Sequence, residues 1–352
     1  MANIKVRAEI EYEVQIDVPW ESFIQPIAHA HKKILIIAPS TIVELGNLVS
    51  FSKSIHAELF ITPDAEEQKD IRTVAKMWDL LGSLEFGRTD AIVAIGGGAT
   101  TDLGGFVAAT WLRGIAWYAI PTTLAGMVDA SIGGKTGINT AAGKNLVGSF
   151  YSPRAVGIDT NWLITLSDRD FSAGLAEVIK TGYIRDTSII DDLLKADGLA
   201  DARKLAISLI AKSVAVKAAV VSADFKEGKL REILNFGHTL GHAIERSANY
   251  RLRHGEAVSI GLHFASALSE ESLGLSSEVT TQMCSLLNRF GLPTSIDPTL
   301  YSWDQLVATM VGDKKSRDGR IRFIGIAKPG EPEWIESASS ELLASTYEKI
   351  VL

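Results

Sequence analysis

Cysteine is almost missing from this chain: Cys284 is the only one among 352 residues. That excludes an intramolecular disulfide framework and fits a reducing cytoplasm. Basic residues are also in deficit, with 35 Lys and Arg against 42 Asp and Glu and a formal net charge of −7. The deficit argues against nucleic acid or an anionic membrane as the main partner. Any basic cluster must be local, as suits a small anionic ligand. No apolar signal core is evident, because Met1 to Pro19 alternates charged and apolar residues like a strand. Nor does an uninterrupted apolar stretch approach membrane-span length, since Gly, Asp, Thr or Arg interrupts each candidate. Repeats and low-complexity linkers are absent too. The expectation is a cytoplasmic protein of about two domains, and its 46% hydrophobic content suffices for a core in each.

What is there changes character once along the chain. Lys33 to Pro39, Ala57 to Pro63, Asp90 to Ile95 and Ile115 to Ile120 are short apolar runs ended by turn residues. Between them lie helical stretches, notably Asp64 to Leu84, in which Ile71, Val74, Ala75 and Trp78 keep a helical period. Alternating strand and helix implies a parallel sheet with crossover helices. Beyond about residue 170, amphipathic helices dominate: Ala173 to Ile184, Ala200 to Ala223, Leu230 to Ser247, Gly255 to Glu271 and Ser277 to Phe290. The expected fold is an α/β dinucleotide-binding domain, Rossmann-like with a mostly parallel sheet, over 1–155. A mostly α-helical domain follows over 156–352, and the cleft between them is the default site.

Three stretches carry chemistry. Leu230 to His254 packs Arg231, Asn235, His238, His242, Glu245 and His254 into one segment, and four of the seven histidines fall at 238, 242, 254 and 263. His238 and His242 are four apart, so on a helix both rings project from one face. Neutral imidazole is the commonest zinc ligand, and catalytic zinc keeps three protein ligands and an open position. A helix with merely hydrogen-bonded histidines is the competing reading. In the second stretch, Gly174 to Gly182, Glu177 and Lys180 lie three apart among small and apolar neighbours. A buried carboxylate and ammonium are costly unless paired or metal-bound, which makes Glu177 a natural third ligand. The third is the glycine-rich turn Gly96-Gly97-Gly98-Ala99-Thr100-Thr101-Asp102 after a strand, where backbone N–H groups can approach a pyrophosphate. It is not the G-x-G-x-x-G fingerprint. Its company, Pro121-Thr122-Thr123, Gly133-Gly134-Lys135 and Gly143-Lys144-Asn145, supplies hydroxyls, point charges and an amide for phosphate.

Together these runs, with Arg113-Gly114, Val128-Asp129-Ala130-Ser131-Ile132, Asn235-Phe236-Gly237-His238, His254-Gly255-Glu256-Ala257 and Asp313-Lys314-Lys315, resemble the 3-dehydroquinate synthases in order and over nearly the whole chain. The resemblance implies an NAD-dependent enzyme using a divalent metal, usually zinc (or cobalt), typically a homodimer. Its substrate would be 3-deoxy-D-arabino-heptulosonate 7-phosphate, and its products 3-dehydroquinate and phosphate. Carried over by motif, the metal ligands are Glu177, His238 and His254, which replaces the helix-spacing pair His238 and His242. Dinucleotide contacts fall on Asp64, Glu66, Lys69, Gly97, Gly98, Thr101, Asp102, Thr122, Thr123, Lys144, Trp162 and Thr165, with Lys135 shared between cofactor and substrate. Substrate contacts fall on Asp129, Lys135, Asn145, Lys180, Lys217, Arg231, Asn235, His242 and Lys314, and Arg113 resembles a residue that reaches into the partner subunit's site. Asp129 and Lys180 are expected to orient hydroxyls, and Lys135, Asn145, Lys314 and Arg113 to surround the phosphate. Arg231, four before Asn235 on one helix, is expected to meet the carboxylate with Lys217 beside it. Two departures stand out: Thr101 where the family usually has Gly, and Ala65 where it usually has Gly.

Rival readings share parts of this equipment. A sibling cyclase acting on sedoheptulose 7-phosphate or glucose 6-phosphate needs no carboxylate partner, which Arg231 argues against. A polyol dehydrogenase has no use for Lys135, Asn145 and Lys314. A non-catalytic metal- or nucleotide-binding protein leaves the full set of catalytic positions unexplained. An amino-analogue of dehydroquinate synthase differs at a group that no residue visibly reads.

Overall fold

Each apolar run ended by a turn former becomes a strand. The computed structural model describes residues 1–248, 251–314 and 321–352. β1 (Ala2–Arg7), β2 (Glu11–Ile16), β3 (Ile34–Pro39), β4 (Glu58–Thr62), β5 (Ala91–Gly96), β6 (Ala116–Pro121) and β9 (Ala155–Ile158) form one sheet in the order β1-β2-β9-β6-β5-β3-β4. Only the edge pair β1–β2 is antiparallel. β3 and β5 are buried at every position, as strands covered on both faces must be. The chain leaves β3 for β4 on one side and returns as β5 on the other. This is a topological switch, the place where open α/β sheets bind ligands beyond the carboxyl ends of their strands.

Local chemistry redraws some expected elements. The helix expected from Asp64 to Leu84 splits into a 3₁₀ turn, Ala65–Gln68, and a helix, Ile71–Ser83, because the Asp70 side chain caps the Arg72 N–H and starts the helix there. The hairpin of β7 (Lys135–Thr140) and β8 (Gly143–Phe150) was not expected, since its glycines blur the strand alternation.

Two compact units emerge, one of 1–166 with 217–226, the other of 167–216 with 227–352. The boundary expected at 155/156 therefore lies later. β9 pairs with β2 and β6, and the short helix Trp162–Thr165 buries Trp162 and Leu163. The stretch from Lys217 returns to the first unit. There Ser222 Oγ accepts the Arg7 N–H at 2.8 Å, and the Phe225 ring lies 5.6 Å from that of Phe150.

One helix, Ala206–Ala223, is by length and composition apolar enough to cross a membrane, with a mean hydropathy of 1.7 over 18 residues, although Lys212 and Lys217 interrupt its apolar run. Its charges are satisfied within the protein: Lys212 Nζ is 2.5 Å from Asp192 and Lys217 Nζ 2.5 Å from Asp129. More than half of the helix (56%) is buried, which fits a core helix.

The second unit is built around the helix Asp168–Ile184, buried continuously from Phe171 onward. Helix His254–Leu273 packs against it at main-chain distance: a Cβ on Gly255 would stand 1.8 Å from the Ala173 carbonyl oxygen. Farther along, a Cβ on Gly261 would stand 1.9 Å from the carbonyl of Gly237. A hairpin of β10 (Phe323–Lys328) and β11 (Glu331–Ile335) completes the unit. Phe264, Leu306, Phe323 and Tyr347 lie in its apolar core.

Candidate active site

At the carboxyl end of β5, Gly97 caps the helix Gly98–Thr110 and hands its N-terminal N–H groups to the loop side. There is no room for side chains here. A Cβ on Gly98 would come within 2.9 Å of the Ala130 Cβ, and one on Gly97 within 3.2 Å of Thr123. This main-chain cradle beside a helix N-terminus suits a pyrophosphate. Thr122, buried, donates its N–H to Gly96 O at 2.9 Å, and Thr123 Oγ1 accepts the Gly126 N–H at 3.1 Å. Thr101, the first departure from the family pattern, turns its hydroxyl back onto Gly98 O at 2.9 Å and is buried, so the cradle stays clear.

The 64–69 loop adds a charged network. Asp64 accepts from the hydroxyls of Ser40 and Thr41 at 3.0 Å each, just beyond β3. Ala65, the second departure, takes φ = 51°, the left-handed conformation a glycine adopts freely. Lys69 is buried and donates to Asp102 Oδ2 at 2.7 Å and to Asn145 Oδ1, with Glu66 Oε1 3.7 Å away. Burial works against the Lys69 ammonium, but Asp102 and Glu66 outweigh it and raise its pKa. Burial likewise raises Asp102, in part offset by Lys69. Asn145 has φ = 56° and Lys144 precedes it at the start of β8.

Asp129, in a π-helical turn, pairs with Lys217 at 2.5 Å within the first unit. Lys135 opens β7 and is exposed. Arg113 is exposed too, with φ = 66° after Leu112 at 50°. Thr165 is exposed, its hydroxyl donating to Trp162 O at 2.9 Å. The Trp162 ring is core: it lies 6.2 Å from the Trp20 ring and close over Gly46, which leaves only its main chain for a ligand.

The second unit gathers a group of side chains that could hold a metal ion. Glu177 lies on the central helix. His238 opens the helix His238–Ser247 after Gly237 at φ = 78°, and His254 opens its own helix, where Glu256 accepts the Arg253 N–H at 2.8 Å. Glu177 Oε1 is 3.3 Å from His238 Nε2 and 3.1 Å from His254 Nε2, and the three donor atoms lie within 4.8 Å of one another. His238 Nδ1 sits 3.1 Å from Phe236 O, an acceptor only, so that nitrogen carries the proton and Nε2 keeps its lone pair toward Glu177. His254 Nδ1 lies 3.0 Å from Glu245 Oε2. The donor set, each ring tethered through its far nitrogen, fits a tetrahedral divalent ion with an open position.

Charge in this cluster is shared. Burial would raise Glu177, but Lys180, ion-paired with it one turn on, and the His238 imidazole hold its carboxyl well below the usual range. Burial and then the Lys180 charge lower His238, and the surrounding protein with the two flanking rings lowers His242, although the His242 side chain is itself exposed. His254 goes the other way. Despite burial, Glu177 and Glu245 raise it to about 10. His242 is no ligand of the first set but forms a second cluster with Glu245 and His254, its ring 5.3 Å from His238.

The expected helix from Leu230 to Ser247 breaks at Phe236 and Gly237 into a 3₁₀ segment, Leu230–Asn235, and the His238 helix. Arg231, 1% exposed, is thus on a three-residue repeat and does not share a face with Asn235 through an α-helical four-residue step. Asn235 Nδ2 donates to Glu227 Oε1 at 3.2 Å, a partner the sequence reading missed. Lys314 closes the helix Trp303–Lys314, and its side chain lies outside the described residues. Glu245, named with the histidines of its segment, was given no role of its own. Its place in the His-rich segment, seven residues after His238, was the available signal.

Comparison with known proteins gives one answer over most of the chain. A family model described as 3-dehydroquinate synthase N-terminal matches residues 59–173, and its C-terminal counterpart matches 174–316. A 3-dehydroquinate synthase from Streptomyces coelicolor is 46% identical over 91% of this chain and 89% of its own. One from Mycolicibacterium gilvum is 43% identical over 99% and 98%. Among solved structures, 2-epi-5-epi-valiolone synthase from Streptomyces hygroscopicus, with NAD+ and Zn2+ bound, superposes with a TM-score of 0.87 at 25% identity, covering 99% of this chain and 98% of that one. With both halves of the family model matched and relatives this similar end to end, the chain belongs to the 3-dehydroquinate synthase family.

Proposed function

We propose that the protein converts 3-deoxy-D-arabino-heptulosonate 7-phosphate to 3-dehydroquinate and phosphate, with NAD and one divalent ion, zinc or cobalt, as resident groups. The carrying observation is a tethered Glu177, His238 and His254 triad in the same unit as a fully buried Arg231. NAD, when bound, exchanges a hydride with a secondary alcohol, and the ion acts as a Lewis acid on the substrate's oxygens.

The chain's residues supply the rest. The main-chain cradle at Gly97 and Gly98 and the helix behind it hold the pyrophosphate, with Thr122 and Thr123 alongside. Lys135, Asn145 and Lys314 bind the substrate phosphate as charges and an amide donor. Lys180 and Asp129 hold protons at the reacting hydroxyls, each already charge-paired, with Glu177 and Lys217 respectively. Arg231 receives the carboxylate in a rigid fork. That role separates this reading from a cyclase whose sugar phosphate has no carboxylate.

A homodimer with Arg113 acting across the interface is part of the proposal, and so is a cytoplasmic setting, consistent with one partly buried thiol. The deciding experiment supplies the heptulosonate phosphate, sedoheptulose 7-phosphate or glucose 6-phosphate with NAD. Phosphate release from the first alone, with no net NADH, is expected. Accumulating NADH, or preference for a sugar phosphate without a carboxylate, sinks the reading.

A further inference from the structure

Asn139 falls at a register irregularity, where the β7–β8 ladder skips from Ile138 paired with Val147 to Thr140 paired with Gly143. Released from the ladder, its N–H donates instead to Lys69 O at 2.9 Å. Irregularities of this kind re-aim side chains beside functional sites. The Asn139 amide is used at both ends. Its Nδ2 donates to Glu66 Oε1 at 2.8 Å, and its Oδ1 accepts the Asn145 N–H at 3.0 Å.

That acceptor helps hold Asn145 at φ = 56°, a left-handed conformation that asparagine adopts more readily than most non-glycine residues and that the hydrogen bond favours over its alternatives. The ring then closes through Lys69, which bonds both Asn145 and Asp102. Four segments meet in it: the 64–69 loop, the end of β7, the start of β8 and the glycine-turn helix. Only a short amide fits. A carboxylate would lack the donor and face Glu66, and an apolar side chain would satisfy neither partner.

We infer that Asn139 is a positioning residue that ties the dinucleotide-side loop to the substrate-side turn at Lys144 and Asn145, so that NAD binding organises the turn that receives the substrate phosphate. This rests on the assignment of those two segments under the proposed function.

Hydrogen exchange on the full chain tests it. In ligand-free protein the Asn145 amide should exchange faster in Asn139→Ala than in the parent, and equal exchange overturns the inference. Added NAD should slow exchange at 143–146 in the parent but not in Asn139→Ala, while protection at 97–102 persists in both. Undiminished protection of the turn in the variant also overturns it. In steady state, KM for the heptulosonate phosphate and the Kd of NAD should each rise on the order of tenfold with kcat within about twofold, the loss of a hydrogen-bonded link and not of a reacting group. Unchanged constants count against it.

An exchange of donor and acceptor separates coupling from damage. N139D alone should bind NAD poorly, and adding E66Q should improve it, because the amide can then donate to the new carboxylate. Additive losses overturn the coupling. A parent that fails to release phosphate refutes the proposed function instead, and the ligand-free exchange comparison still decides the role of Asn139.

Discussion

The imidazole of His254 is held by Glu245, Nδ1 to Oε2 at 3.0 Å, while its Nε2 faces Glu177. A carboxylate behind a ligand histidine fixes the ring and makes its free nitrogen a better donor. Glu245→Ala should therefore weaken metal binding by about 10–100-fold with the three proposed ligands intact. Chelator competition reads this directly. Metal affinity equal to the parent's would show that Glu245 does not support His254.

Without a metal, His254 bridges two carboxylates, and its pKa rises from 6.5 to about 10. Raised in the folded state, the group contributes stability that is fully present below its ordinary value and lost as pH climbs through the folded one. The metal-free protein should accordingly lose thermal stability between pH 7 and 10, more steeply than the metal-loaded protein. Because the ion displaces this proton, metal binding at pH 8 should release about one proton per site. Calorimetry in buffers of different ionisation enthalpy measures that number, and zero release would mean His254 is already neutral.

Arg231→Ala should raise KM for the heptulosonate phosphate, a loss of about 2–5 kcal/mol, the range for truncating one side of a buried charge pair. Metal content and NAD affinity should stay near the parent's. Unchanged kinetics would remove Arg231 from carboxylate recognition.

At Ala65 the chain adopts φ = 51°. Glycine removes the left-handed penalty of about 1–2 kcal/mol, against a somewhat smaller entropic cost in the unfolded chain. Ala65→Gly should thus leave the melting temperature unchanged or raise it slightly, where glycine elsewhere lowers it. A marked drop would show that the turn relaxes away from this geometry.

Arg113 can be placed by mixing subunits. If it serves the partner's site, Arg113→Ala and Lys135→Ala chains, each inactive alone, should regain activity as hybrids because one site is then complete. Inactive hybrids, shown to have formed, would confine Arg113 to its own site.

Much of this was legible in the residue order. The strands ending at Pro39, Thr62 and Gly96 are closed by turn residues, Pro63 following the second, and a buried strand of β-branched residues has few other readings. Glu177 and Lys180 could be paired by spacing alone. Less visible was whatever depends on a conformation no side chain announces. Gly237 at φ = 78° broke a helix whose apolar period ran straight through it. The His238–His242 spacing alone pointed to the wrong pair: the donor group is completed by His254, sixteen residues past His238, which only the motif resemblance supplied, and spacing gave no sign that Glu245 would stand behind it. Asn139 gave no pattern because its partners lie in separate segments.

The contacts at Gly255 and Gly261 carry one consequence for how this protein tolerates change. Ala173 stands four residues before Glu177, Gly237 immediately before His238, and Gly255 immediately after His254. The gaps closed by those two glycines therefore set how far apart the three proposed ligands stand, main chain against main chain. No rotamer adjustment can reopen such a gap. A single methyl group at either position would alter the ion's fit without touching a residue that binds it, so mutational scans should find metal-loss variants at glycines that no inventory of ligands contains.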